Sequence, residues 1–169
     1  MSTEKGAQLL IVEDDLALQK QIKWSLDQFA SATADDRESA ITQLRRHAPA
    51  VVTMDLGLPP DADGTDEGFK LLEQIVVSSP DTKVIVLTGQ NGQSNALKAI
   101  AMGAYDFLAK PFEPEMLNLT VERAFRLHEL RAVHPTRVER LEQSDGIDRV
   151  LVEPPHPCEV ERRLHRIVG

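Results

Sequence analysis

Apolar and polar residues fall along this chain in blocks of two kinds. Short unbroken apolar runs occur at Gln8-Leu9-Leu10-Ile11-Val12, at Ala50-Val51-Val52-Thr53-Met54 ahead of Asp55, and at Lys83-Val84-Ile85-Val86-Leu87. Runs without period-two alternation predict strands buried on both faces, the kind that sits inside a parallel sheet. Ser31 to Ala34 and Tyr105 to Ala109 supply two further strands. Between them the spacing becomes helical. Leu18, Ile22, Leu26 and Phe29 predict a first helix over 16–29, and Ile41 and Leu44 a second, with Asp35 as its cap and Glu38 three residues on. Phe69, Leu72, Ile75 and Val76 mark a third, and Leu97, Ile100 and Ala101 give the apolar side of a fourth over 96–102, closed by Gly103. A long fifth helix opens at Pro114, with Met116, Leu117, Val121, Ala124, Phe125 and His128 along one side. Five strands alternating with five helices predict an α/β fold, a doubly wound (βα)5 parallel five-stranded sheet between two helical layers.

Composition narrows the class. The chain has 169 residues with 41% hydrophobic, enough for one ordinary core and an appendage. Its net charge is −8, and the acidity lies early: residues 1–115 hold 10 of the 19 Lys and Arg against 18 of the 27 acids. That balance argues against a nucleic-acid surface, so no direct nucleic-acid binding is expected. One cysteine, Cys158, excludes an internal disulfide. No apolar run approaches the ~20 residues of a membrane span and no signal peptide is legible, so the expected location is the cytoplasm, with no membrane partner.

In this alternation strands one, three, four and five end in Glu13-Asp14, Asp55, Thr88 and Lys110, all on one sheet edge. Open α/β sheets keep their ligand sites at the carboxyl ends of the strands. Three adjacent acids, Glu13, Asp14 and Asp15, are costly unless solvated or compensated by a cation. Glu13 and Asp14 with Asp55 make an all-oxygen site suited to Mg2+: Asp14 and Asp55 as direct ligands, Glu13 through water, and the Gly57 carbonyl as a further oxygen. Asp55 reads as a nucleophile for a phosphoryl group. Lys110 and the Thr88 hydroxyl would balance charge on its oxygens. Taken singly, Thr88 is an ordinary turn residue, Lys110 a surface lysine and Tyr105 a core-edge aromatic; their convergence on one edge favours the site.

Val12-Glu13-Asp14-Asp15, Met54-Asp55 followed by Pro59, Val86-Leu87-Thr88-Gly89 and Gly103 through Phe112 together resemble the receiver domain of two-component response regulators, over about residues 6–133. The resemblance implies a flavodoxin-like receiver fold. It also implies a sensor histidine kinase as phosphoryl donor to Asp55, Mg2+ held by Glu13, Asp14 and Asp55, and a switch in which Thr88 and Tyr105 report phosphorylation. It further implies a cis Lys110-Pro111 bond and a signalling domain that catalyses only its own phosphorylation and dephosphorylation, not an enzyme acting on metabolites. A homodimer through the fourth and fifth elements is expected. Leu56 to Pro60 with Asp35 to Ala40 is similar to the PEP-CTERM-box, sigma-54-type regulators of transcription, whose ATPase and DNA-binding domains have no counterpart here. The chain departs from the family pattern after Asp55. The acid-glycine pair before the third helix is Glu67-Gly68, with its glycine thirteen residues beyond Asp55, so that loop carries an insertion. The insertion is acidic and glycine-rich but lacks the register of a calcium loop.

Residues 134–169 are expected to be a short tail and no separate domain. Leu151 to Val160 echoes Leu108 to Leu117, with Glu153 where the site lysine stands, and His156 with Cys158 is too small a set for a metal. Two rival functions remain. A pseudo-receiver that docks partners without phosphorylation would have been favoured by a missing Asp55 or Lys110, and both are present. A metal-dependent phosphatase often places a second acid two residues after the nucleophile, where this chain has Gly57.

Overall fold

The structure is a computed structural model that describes residues 7–61, 63–89 and 92–133. The expected tail, its echo, His156 and Cys158 lie outside the described residues. Five strands, β1 (Leu9–Val12), β2 (Ser31–Ala34), β3 (Val51–Asp55), β4 (Lys83–Thr88) and β5 (Asp106–Ala109), form one parallel sheet in the order β2-β1-β3-β4-β5. Helices α1 (Leu16–Ser25), α2 (Arg37–His47), α3 (Asp66–Ser78), α4 (Gln93–Met102) and α5 (Pro114–Val133) fill the connections. The predicted (βα)5 sheet is therefore present.

Alternation along the strands sorts the core into two layers. Leu10, Val12, Val52, Met54, Val84 and Val86 face a cluster completed by Leu44, Leu72 and Ile75 of α2 and α3, with Ala99 of α4. Leu9, Ile11, Val51, Ile85 and Leu87 face Ile22 of α1, Leu26, and Leu117, Val121 and Ala124 of α5. Among the described residues, no helix is long and apolar enough to cross a membrane.

Four local expectations need correction. Helix α1 ends at Ser25 rather than Phe29; Leu26 and Phe29 still turn inward, and the Phe29 ring stacks on Phe125 with centroids 4.5 Å apart. On α4 the interior side is Ala96 and Ala99, while Leu97, Ile100 and Ala101 are exposed, because a helix held close to the sheet has room for only small side chains beneath it. Met116 at the start of α5 is likewise exposed.

The cap of α2 is Asp36, one residue later than expected. Its carboxylate accepts the Ser39 amide at 2.7 Å, and the Ser39 hydroxyl accepts the Asp36 amide at 3.3 Å. The Ser39 amide and hydroxyl hold the Asp36 carboxyl below its ordinary value. A carboxyl depressed in the folded state stabilises above its unfolded pKa, and that stability is lost as pH falls through the folded one. Asp36→Ala is therefore expected to cost about 1 kcal/mol near neutral pH, the usual value of such a cap. The deficit should shrink in acid, and urea melts at neutral pH and at low pH check both statements.

Thr53, fully buried in β3, has a hydroxyl without a hydrogen-bond partner among the described residues. Desolvating a hydroxyl without replacing its bond to water costs free energy. Thr53→Val keeps the shape and removes the orphan group, so it should raise stability by about 1 kcal/mol in the same melts.

Candidate functional site

In this strand order the chain leaves β1 toward β2 on one side and resumes at β3 on the other, so the crevice between the ends of β1 and β3 is the switch point of the sheet. Register sets what meets there. Val12 pairs with Met54, which brings Glu13 level with Asp55; Asp55 pairs with Leu87, and Thr88 with Ala109 just before Lys110.

The three consecutive acids have different tasks. Asp15 caps α1, accepting the amides of Ala17 at 2.9 Å and Leu18 at 3.2 Å. Glu13 and Asp14 are left for the crevice, and one oxygen each of Glu13, Asp14 and Asp55 lies within 4.8 Å of the others. Gln19 anchors this turn by donating to the carbonyls of Glu13 at 3.0 Å and Ala34 at 3.3 Å. The sequence reading had no role for Asp15 or Gln19.

Lys110 Nζ lies 3.0 Å from Asp55 Oδ2 and 3.1 Å from Glu13 Oε2. Burial works to lower the Lys110 pKa, but the two carboxylates more than offset it and hold the ammonium above its ordinary value. Burial, and next the Asp55 charge, pushes the Glu13 carboxyl up to about 7 against the pull of Lys110. Two carboxylates thus share one ammonium, with Asp14 beside them, and the cluster carries more negative charge than it can balance. That excess, in a set of hard oxygen donors, suits a divalent cation such as Mg2+.

The Asp55 carboxylate also accepts the Gly57 amide at 3.2 Å, which fixes its orientation. Thr88 is buried, and its hydroxyl reaches the Leu108 carbonyl only at a long 3.5 Å. Tyr105 lies apart from this cluster, partly buried against the layer beneath α1 and α5. The Lys110-Pro111 bond is cis, as the resemblance implied, and so is Pro59-Pro60.

A cleft of about 290 Å³ opens over Asp55, Thr88 and Lys110. Beyond the residues next to Asp55 and Thr88, its walls come from Asp63, Gly64 and Thr65 of the loop before α3 and from Gly92 and Asn95 at the start of α4. Sequence reasoning missed these wall residues. The signals for the loop were its extra length after Asp55 and its acidic, glycine-rich composition, neither of which says where the loop goes.

Comparison with known proteins points one way. The family described as response regulator receiver domain matches residues 9–122. The alginate biosynthesis transcriptional regulatory protein AlgB of Pseudomonas syringae pv. tomato is 29% identical over 154 residues, covering 87% of this chain and 32% of that protein. The C4-dicarboxylate transport transcriptional regulatory protein DctD of Pseudomonas aeruginosa is 35% identical over 125 residues, covering 73% of this chain and 26% of that protein. The chain spans about a third of the length of such curated relatives. Among solved structures, the receiver domain of NtrX from Brucella abortus superposes with a TM-score of 0.65 at 31% identity, covering 70% of this chain and 98% of that one.

Proposed function

The chain belongs to the response regulator receiver domain family, and from that premise we propose that it takes a phosphoryl group from a sensor histidine kinase onto Asp55. The observation that carries this reading is the single ammonium of Lys110 held between Asp55 and Glu13, with three carboxylates converging at the switch point.

In the proposed reaction an Asp55 oxygen attacks phosphorus as the bond from phosphorus to the donor histidine nitrogen breaks, and the electron pair leaves with the imidazole. The transferring group spreads charge over three oxygens, so the protein's work is positioning and charge balance. The Gly57 amide holds one Asp55 oxygen, and Lys110 presents positive charge beside the other. Glu13, Asp14 and Asp55, with the Gly57 carbonyl, would hold Mg2+, which would supply positive charge to offset that on the phosphoryl oxygens.

The weak bond from Thr88 to Leu108 leaves its hydroxyl available to a phosphoryl oxygen. Thr88 moving toward the site and Tyr105 packing further inward constitute the proposed switch, a shift between two surface states. Exposed Leu97, Ile100 and Phe107 on α4 and β5 support a homodimer through that face. Residues 6–133 form the receiver in this reading and 134–169 a short tail. A part in transcription regulation, which the names of AlgB and DctD state for those proteins, belongs to the same proposal, as does a cytoplasmic location.

Incubation with acetyl phosphate should add one phosphoryl mass to the intact chain when Mg2+ is present and none when it is chelated. No gain by a folded protein that binds Mg2+ would favour the pseudo-receiver instead.

A further inference from the structure

The loop that departs from the family's spacing folds back onto the site. Asp63, Gly64 and Thr65 wall the same cleft as Asp55 and Lys110. Thr65 occupies the cap position of α3, yet its side chain makes no capping hydrogen bond to the helix. A threonine at that position ordinarily spends its oxygen on the first-turn amides. Here the hydroxyl is not committed to those amides, and the residue lines the cleft.

We infer that Thr65 and Asp63 position and deprotonate the water that hydrolyses phosphorylated Asp55, so that the inserted loop sets the lifetime of the signal. The inference rests on Asp55 being the phosphoacceptor. In-line displacement requires water to approach phosphorus from the side away from Asp55, and Asp63 and Thr65 line the same cleft as that carboxylate. A cleft of about 290 Å³ holds a phosphoryl group and several waters at ~30 Å³ each.

In this step the water oxygen bonds to phosphorus as the bond from phosphorus to the Asp55 oxygen breaks, and the electron pair returns to the Asp55 carboxylate. One water proton passes to the Asp63 carboxylate and then to solvent; the other leaves with inorganic phosphate. The Thr65 hydroxyl orients the water by a hydrogen bond. Thr65 is thus a positioning residue, and Asp63 acts as a general base.

The test uses the full chain, phosphorylated by acetyl phosphate with Mg2+, freed of donor by rapid desalting, and followed by intact mass. Thr65→Val should lengthen the half-life of the phosphorylated form about fivefold, the loss of one hydrogen bond in the transition state. Thr65→Ser, which keeps the hydroxyl, should restore the native decay, whereas a merely structural threonine would not distinguish valine from serine in this way. Asp63→Ala should slow decay by about tenfold or more. It serves as the second variant should Thr65→Val fold poorly. Native chain that gains phosphoryl but decays at the same rate in Asp63→Ala and Thr65→Val overturns this inference alone, and faster decay in either does the same. Native chain that gains none overturns the proposed function, and this inference with it.

Discussion

Asp55→Asn is expected to abolish Mg2+-dependent phosphoryl uptake completely while leaving the fold intact. The exchange is close to isosteric, and the asparagine carbonyl can still accept the Gly57 amide that orients residue 55. What disappears is the nucleophile: an amide oxygen does not form a stable bond to phosphorus. The ammonium of Lys110 would then pair with Glu13 alone. Because the Asp55 charge is one of the causes that push the Glu13 carboxyl up, its removal also relieves a repulsion in the buried cluster. Stability should therefore hold or rise rather than fall, since a buried carboxylate loses a like-charged neighbour. Intact mass after acetyl phosphate and the urea midpoint of the same sample check the two halves separately. A full phosphoryl gain in the variant would mean that another side chain accepts the group, and the roles given to Lys110 and Gly57 would go with it.

Much of this site was legible in the sequence because strand ends carry their residues with them. Once β1, β3 and β4 are read as unbroken apolar runs, the positions of Glu13, Asp14, Asp55 and Thr88 follow from where each run stops. The sheet order and register then bring them together. What escaped the sequence was decided by packing. Both Leu97 with Ile100 and Ala96 with Ala99 fit a helical repeat on α4, and hydrophobicity favours the larger pair. The close seat of the helix on the sheet selects the alanines. The cap of α2 slipped by one residue because Asp35 and Asp36 are chemically equivalent caps. Only the reciprocal bond with Ser39 decides between them. The inserted loop was visible as length, but length carries no direction, and its return over Asp55 depends on contacts far apart in the chain.

The glycine that closes this insertion gives the largest expected effect outside the acceptor itself. Gly68 lies in the first turns of α3, where alanine is intrinsically the better helix former by about 1 kcal/mol. Propensity alone would therefore make Gly68→Ala stabilising. The surroundings reverse the sign. A Cβ at this position would lie 2.4 Å from the Leu56 Cα and 2.5 Å from the Leu56 carbonyl oxygen. Both are backbone atoms, so neither can swing aside as a side-chain end would, and the helix or the strand end must move. Overpacking of this kind costs about 1–3 kcal/mol, which for a domain of this size lowers Tm by several degrees. Leu56 sits between Asp55 and Gly57, so the displacement passes directly into the acceptor and the amide that orients it. Misplacement of a reacting group by about 1 Å can cost on the order of 10²-fold in rate, and phosphoryl uptake from acetyl phosphate should slow at least about tenfold. Gly89→Ala provides the contrast in stability, because a Cβ there meets nothing within 4 Å among the described residues; its unfolding free energy from urea melts should stay within about 0.5 kcal/mol of the native chain. If Gly68→Ala proved as stable and as quickly phosphorylated as the native chain, α3 would not bear on the strand end that presents Asp55. The close contact of Gly68 with Leu56 would then have no part in positioning the site.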